Sequence, residues 1–473
     1  MLITLAGAHS VAEAIAMLRD ALMRFNQARA ADAHELGILR FEVCLDAGVV
    51  ASSTFLRAAN LQPHDRKLYW RAKGGAQALC LGVAYQSTEN NGTRHNATLN
   101  LVPPLLKKHP YIRLYGGMRF DSSAESSKEW RPFGSFRFFL PSIEFFSEEG
   151  RATIACHLVA QQPFSTISDL LGDLEQVNIA AFCEDFTDST SSARASSYQP
   201  SLTPGFDGWH GNIEKAVSHI AANDFEKVVL ARKRLYALRE FSPFSLLDRL
   251  TNVVNPAAYF CWQLDAETAF LGATPELLYA REGQSIRTEA LAGTRKRGLG
   301  IEEDEALLRD LFDSDKEQRE HELVAQQIAD VLKRLCVDSG VRHERGVVKL
   351  SNVQHLESIF GGVLKTGLSD LDIIQALHPT ASVCGLPSGE ALRFIREHEG
   401  FDRGFYAGPF GMLSLDKAEF VVAIRSALMC ACDLHVYGGA GIVRGSEPGS
   451  EWDEIEHKMK PFLEVIGETD AIR

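Results

Sequence analysis

The segment AYFCWQLDAETAFLGATPELLYARE, residues 258–282, sets two apolar runs on either side of the polar stretch Asp265-Ala266-Glu267-Thr268. A connection that short joins neighbouring antiparallel strands, because a parallel crossover needs a dozen or more residues. The pattern recurs. RKLYWRA (66–72), ALCLGVAY (78–85) and SFRFFLPSIEFF (135–146) read as strands broken by turns, and so do the runs within 419–445. FEKVVLARKRLYAL (225–238) reads as one more strand. Helical spacing is confined to fewer places. Val11, Ile15, Leu18, Leu22 and Phe25 recur at intervals of three and four, and residues 210–223, 244–253, 315–336 and 450–467 read as helices. Strands outnumber crossover helices. The expected fold class is α+β, with large, mostly antiparallel β-sheets packed together and flanked by helices, rather than doubly wound.

Residues 186–204 are rich in Ser and Thr and poor in large apolar side chains, which predicts a mobile connection. It divides a sheet-rich region, 1–185, from a denser region, 205–470, where the candidate chemistry lies. The formal net charge of −13 argues against nucleic acid as a partner but leaves room for one local cationic pocket. No apolar run reaches membrane-spanning length and the N-terminus lacks a basic leader, so a cytoplasmic protein with no membrane partner is expected. Nine cysteines are scattered with no Cys-x-x-Cys pair, which predicts free, mostly buried thiols. Cys430 and Cys432, two apart in a strand-like run, are expected to share a face.

The helix over 315–336 crowds Glu317, Glu320, His321 and Glu322 together. Ser314 three residues before Glu317 fits a capping box, in which Glu317 would bind the backbone at the helix start. His321-Glu322 begins a zinc-protease pattern, but residue 325 is Ala, and without the second histidine that reading fails. Glu317 and Glu320 share a face. The second helix repeats the spacing with Glu451 and Glu454, and Lys458 follows one turn on. Two such helices facing each other would suit a hard divalent ion such as Mg²⁺; two separate solvated faces are the alternative. Lys227 lies in the strand-like FEKVVLAR, either on a polar face or as a desolvated lysine of lowered pKa fit to act as a base. Glu276 follows a proline where a strand ends and is either a loop carboxylate or a general acid. YGGAGIVRG (437–445) lacks the dinucleotide-binding spacing; it offers either backbone N–H groups to an anion or a tight hairpin turn.

Ten segments in order resemble the chorismate-utilising enzymes over about residues 205–470: KVVLAR (227–232), GATPELL (272–278), TEALAGTR (288–295), EHEL (320–323), VQHL (353–356), HPTASVCGLP (378–387), RGFYAGPFG (403–411), VAIRSAL (422–428), GGAGIV (438–443) and EWDEIEHK (451–458). LYWR (68–71), GGMRFD (116–121) and WRPFGSFRFFLP (130–141) are similar to the menaquinone-type isochorismate synthases in particular. The resemblance implies chorismate as substrate and Mg²⁺ as cofactor. It implies Lys227 as the base that activates water for attack at ring carbon 2, where relatives that use ammonia carry glutamine. It implies Glu276 as the acid that protonates the departing 4-hydroxyl. Glu320 and Glu454 match the carboxylates that bind Mg²⁺, with Glu317 and Glu451 beside them. Gly293 and Thr294 match the loop that meets the ring carboxylate. Tyr406, Arg425, Gly439 and Gly441 match the holders of the enolpyruvyl carboxylate, and His355 and Lys458 match further pocket residues.

Three departures or choices refine the expectation. Ala292 stands where some aminodeoxychorismate synthases carry a nucleophilic lysine, and the chain has no amidotransferase region, so no amidotransferase subunit is expected and a monomer fits. Leu277 replaces an arginine frequent in the family. Ser382 stands where isochorismate synthases usually have alanine and pyruvate-eliminating relatives threonine, which keeps a salicylate synthase, or a siderophore-pathway enzyme, as the alternative. A non-catalytic chorismate-binding protein is disfavoured, because binding alone needs no acid–base pair.

Overall fold

The computed structural model describes residues 1–28, 37–50, 54–88, 99–159, 166–182, 194–195, 200–239, 242–255 and 257–467. Two sheets dominate, one of 14 strands and one of 9, and among the described strands only Leu2–Thr4 pairs in parallel, with Ile38–Leu45. The hairpin read at residues 265–268 is present: Ala258–Gln263 and Thr268–Thr274 pair antiparallel, with Gln263 opposite Ala269. The helices at Phe206–Ala221, Pro243–Val253, Asp315–Leu335 and Pro448–Val465 fall where the 3.6-residue periodicity placed them.

The sequence division near residue 200 is not a division of the sheets. In the larger sheet the N-terminal strand Lys67–Arg71 pairs with Ala258–Gln263, with Trp70 opposite Phe260. In the smaller sheet the N-terminal strand Leu114–Met118 pairs with Pro409–Leu413. Aromatic side chains fill the space between the sheets. Phe260 and Phe410 have ring centroids 4.5 Å apart, and Phe139 stacks on Trp262 at 5.8 Å. These pairs join large buried faces of both sheets, so the core is continuous from one half of the sequence to the other.

Three expectations are corrected. Within 186–204, Arg194–Ala195 and Ser201–Thr203 pair with the long strand Lys227–Arg239, while residues 186–193 and 196–199 lie outside the described residues. The glycine run at 437–445 is not a hairpin turn: Tyr437–Ile442 belong to the strand Asp433–Ile442, paired along its length with Lys227–Arg239. Cys430 ends a strand and Cys432 lies in the turn that follows, so they share no strand face. The eight described cysteines are free thiols, buried except for Cys44, Cys430 and Cys432. No helix among the described residues is long and apolar enough to cross a membrane.

Candidate active site

Lys227 opens the long strand of the larger sheet and is fully buried. The polar-face reading is therefore wrong. Its Nζ lies 2.9 Å from Glu320 Oε1, an ion pair shielded from water on both sides. Gly441 makes that approach feasible. A Cβ at Gly441 would lie 1.9 Å from Glu320 Oε1 and 3.0 Å from Lys227 Cε, so any side chain there would displace the pair. The glycine-rich strand is a groove for the carboxylate rather than a turn.

Glu276 sits just past the strand Thr268–Thr274, on a corner stapled by the Thr274 hydroxyl. Thr274 Oγ1 donates to the Val422 carbonyl at 2.7 Å and accepts from the Glu276 amide at 3.3 Å. The Glu276 carboxyl is 3% exposed, and Ser382 Oγ donates to its Oε1. Burial pushes its pKa up to about 7, against the Ser382 hydrogen bond and the charge of Lys227, which act downward. Glu320 is buried as well but is held below the usual carboxylate range. Burial alone would raise it, and Lys227, Lys316 and Lys458 together outweigh that.

The helix Asp315–Leu335 packs on the smaller sheet, and Pro448–Val465 packs on the larger one beside the glycine strand. Their carboxylates face the junction. Ser314 Oγ accepts from the Glu317 amide, but the Glu317 carboxylate does not return to the helix start. It accepts from the Thr294 amide at 2.8 Å and from Arg295 Nη1 at 2.7 Å. The capping box is thus half formed, and the free half ties the helix to the loop at Gly293. That loop is a bulge between Ala292 and Thr294, with Gly293 at φ +77, a conformation that favours glycine. Lys316 Nζ reaches across to Glu451 Oε1 at 2.6 Å, and Lys458 Nζ to Glu454 Oε1 at 2.6 Å. His321 is buried against the Ser358 hydroxyl at 2.8 Å, and burial lowers its pKa to about 4, so it is a neutral packing group.

Among the described residues, no three acidic, His or Cys side chains already converge in ligating geometry. The four glutamates are each engaged by a cation instead. The donor set nevertheless suits a hard cation. Burial and the neighbouring carboxylates raise Glu317, and burial with Glu454 raises Glu451 to about 7. Glu451 Oε2 is buried without a hydrogen-bond partner. A divalent ion bound by these oxygens would relieve both the crowding and the orphaned acceptor.

Between these elements lies a small cavity of about 60 Å³. Glu276, Ser382, Gly293, Thr294, Glu320 and His355 line it, together with Tyr406, Arg425, Gly439, Gly441 and Lys458. Lys227 stands directly behind Glu320, and Glu317, Glu451 and Glu454 lie behind Thr294, Lys316 and Lys458. Arg425, at φ +49, is held by the Lys458 carbonyl and His355 Nε2, each at 3.3 Å. Among the described residues it has no carboxylate partner, unlike Lys227, Lys458 and Arg403. Burial lowers its pKa to about 10, so it stays charged at neutral pH. His355 is pushed well below its ordinary value, by burial first and then by Arg425 and Lys458, and remains neutral. Tyr406 is raised by burial and keeps its phenolic proton for donation. The cavity thus carries one unpaired guanidinium, a neutral imidazole and a phenol, a set suited to a carboxylate.

Sequence reading missed four contributors. Arg295 and Lys316 hold Glu317 and Glu451. Arg403 lines the cavity, paired with Glu399 and donating to the Val229 carbonyl at 2.8 Å. Thr380 lies 2.6 Å from the Ser382 hydroxyl. Arg295 ends the motif segment 288–295 and Lys316 precedes Glu317, so their positions were a usable signal; the pairing of Arg403 depends on contacts made only in the fold.

The chain belongs to the chorismate-binding enzyme family, whose model matches residues 29–467. It is 35% identical to isochorismate synthase 2 of Arabidopsis thaliana chloroplasts, over 78% of this chain and 66% of that protein. It is 33% identical to the salicylate-biosynthesis isochorismate synthase of Pseudomonas aeruginosa, over 88% of this chain and 83% of that one. The isochorismate synthase MenF of Escherichia coli is 32% identical over 83% of this chain and 86% of its own length. The solved structure of that enzyme covers 95% of this chain and 99% of its own, with a TM-score of 0.78 and 28% identity. The chain spans 66% and 63% of the length of the plant relatives from Arabidopsis thaliana and Catharanthus roseus.

Proposed function

We propose that this protein is an isochorismate synthase, which interconverts chorismate and isochorismate with Mg²⁺ and serves menaquinone synthesis. The observation that carries the reading is the pair of buried groups with opposite tasks. Lys227 at 0% exposure is positioned to take a proton, and Glu276 holds one up to about pH 7. In the forward direction a water oxygen bonds to ring carbon 2 and Lys227 Nζ takes up its proton. The ring double bonds shift, the bond from carbon 4 to its hydroxyl breaks, and Glu276 protonates the leaving oxygen. One water enters and one leaves, so the reaction is an isomerisation. In reverse the two groups exchange roles. Arg425 and Tyr406 orient the side-chain carboxylate of the substrate, and the Gly293 bulge with Thr294 forms the part of the cavity wall that meets the ring carboxylate. Mg²⁺, held by Glu320 and Glu454 with Glu317 and Glu451 beside them, would supply charge stabilisation at that carboxylate.

The pathway assignment is supported by the likeness to MenF over most of the chain. A second reading, in which isochorismate goes on to salicylate and pyruvate, is favoured by the Ser382 hydroxyl beside Glu276. Incubation with chorismate and Mg²⁺, followed by chromatography, separates the two. Isochorismate alone, reaching a fixed ratio with chorismate, is expected. Stoichiometric pyruvate would establish the second reading, and no turnover would reject both.

A further inference from the structure

Gln327 lies two helical turns beyond Glu320, on the same face of the helix Asp315–Leu335. Its carboxamide brackets one turn of the loop that follows Leu377. Gln327 Oε1 accepts from the Ala381 amide at 2.6 Å, and Nε2 donates to the Pro379 carbonyl at 3.4 Å. The gripped amide lies between two hydroxyls that serve Glu276. Thr380 Oγ1 and Ser382 Oγ are 2.6 Å apart, and Ser382 Oγ donates to Glu276 Oε1. The loop is held at its flanks too, by His378 Nε2 on the Phe120 carbonyl at 3.0 Å and Arg403 Nη1 on the Val383 carbonyl at 2.7 Å. Those contacts fix its ends; the Thr380 carbonyl closes the turn by accepting from the Val383 and Cys384 amides, and Gln327 ties that turn to the helix.

Two hydroxyls in series can satisfy a carboxyl in either charge state. When Glu276 is ionised, Thr380 donates to Ser382 and Ser382 to the carboxylate. When Glu276 is protonated, it donates to Ser382 Oγ, which turns its own proton toward Thr380. Both arrangements use the same heavy-atom positions. An acid that becomes a base in the reverse reaction passes through both states in every cycle. The relay works only while both oxygens stay within hydrogen-bond distance, a tolerance of a few tenths of an ångström.

We infer that Gln327 is a positioning residue for Glu276, tying the helix that carries Glu317 and Glu320 to the loop whose two hydroxyls serve the acid. The inference rests on the assignment of Glu276 as the proton donor. The other groups that bear on Glu276 are Lys227, Glu289 and Lys458, with the Tyr406 phenol nearby. Among the described residues none of them hydrogen-bonds Gln327 or the Thr380–Ser382 turn.

Gln327→Met keeps the side-chain volume and removes both hydrogen bonds. The ionisation of Glu276 is followed in the full-length protein by carbon-13 NMR of glutamate carboxyls, the signal being assigned by its loss in Glu276→Gln. The midpoint is expected to rise by roughly 0.5–1 pH unit in Gln327→Met, as it does in Ser382→Ala, because a donor to the ionised form is lost in each. The limb of the kcat profile set by Glu276 should move by the same amount. In the double variant the second substitution should add nothing, since both act through one hydroxyl. Additive shifts, or a midpoint unmoved in Gln327→Met, would overturn the inference. If the methionine variant does not fold, Gln327→Asn, too short to span both partners, carries the same expectation. Absence of isochorismate from the wild type would count against the proposed function alone, because the NMR midpoint reads the clamp without turnover.

Discussion

Glu276 and Glu320 line the same cavity, and both are almost wholly out of water. Their surroundings push them in opposite directions. Glu276 lies at the corner where the chain passes from the larger sheet to the smaller and receives a hydroxyl; Glu320 lies on a helix and receives an ammonium. Burial raises both, but only Glu320 has a cation within ion-pair distance, so it stays ionised while Glu276 holds its proton up to about pH 7. Local charge, rather than residue type or depth, sets apart the two carboxyls proposed as proton donor and metal ligand.

The sharpest way to break this comparison is to remove the ammonium. Lys227→Ala should lower turnover by ~10³-fold, the range typical of a general base, with an unchanged far-UV circular dichroism spectrum. Residual activity within tenfold of wild type would reject Lys227 as the base. Glu320→Gln should follow, reducing both activity and the response to Mg²⁺; an unaltered Mg²⁺ titration would move the metal elsewhere.

Substitution at Glu276 tests the other side through stability. Its folded pKa of about 7 lies above the unfolded value near 4.5, so the folded state binds more protons between those values. Stability from this group is therefore full below about pH 4.5 and is lost as pH rises to 7, by about 3 kcal/mol. Glu276→Gln should be as stable as wild type at pH 4.5 and more stable by up to ~3 kcal/mol at pH 8, while losing turnover. A stability gap independent of pH, measured by denaturant unfolding, would mean that the carboxyl is not protonated by burial.

A smaller effect is expected at the cavity's unpaired cation. Arg425→Lys keeps the charge but loses the fork, and should raise KM for chorismate by roughly 10-fold with less change in kcat. An unchanged KM would place the substrate carboxylate elsewhere. Ser382→Ala should be the mildest of the series, leaving the fold intact and moving only the Glu276 limb of the pH profile.

How much of this was legible in the sequence differs between the two glutamates. Glu320, Glu454 and their companions announced themselves by repeated spacing on two helices, because a helix brings residues three apart onto one face. Glu276 had no such local signal beyond Pro275, and its role came from resemblance. The raised pKa comes from burial at a corner closed by the Val422 carbonyl, and it is moderated by Ser382, 106 positions away in sequence. The glycines at 437–445 were read ambiguously for the same reason. Whether Gly441 ends a hairpin or makes room for a carboxylate depends on which helix packs over the strand, and local sequence is silent on that. The antiparallel class was readable from short turns such as Asp265–Thr268, whereas the two seams that merge the halves of the chain are long-range pairings.

The most direct test of the central claim, that a solvent water attacks while Glu276 releases the departing hydroxyl, is turnover in oxygen-18 water with mass analysis of the isochorismate. The account predicts one oxygen-18 atom in each newly formed isochorismate, on the ring-carbon-2 hydroxyl, and none at that position beyond background in Lys227→Ala. Unlabelled isochorismate from the wild-type protein would mean that the original hydroxyl migrates within the substrate, and the division of roles between Lys227 and Glu276 would fall.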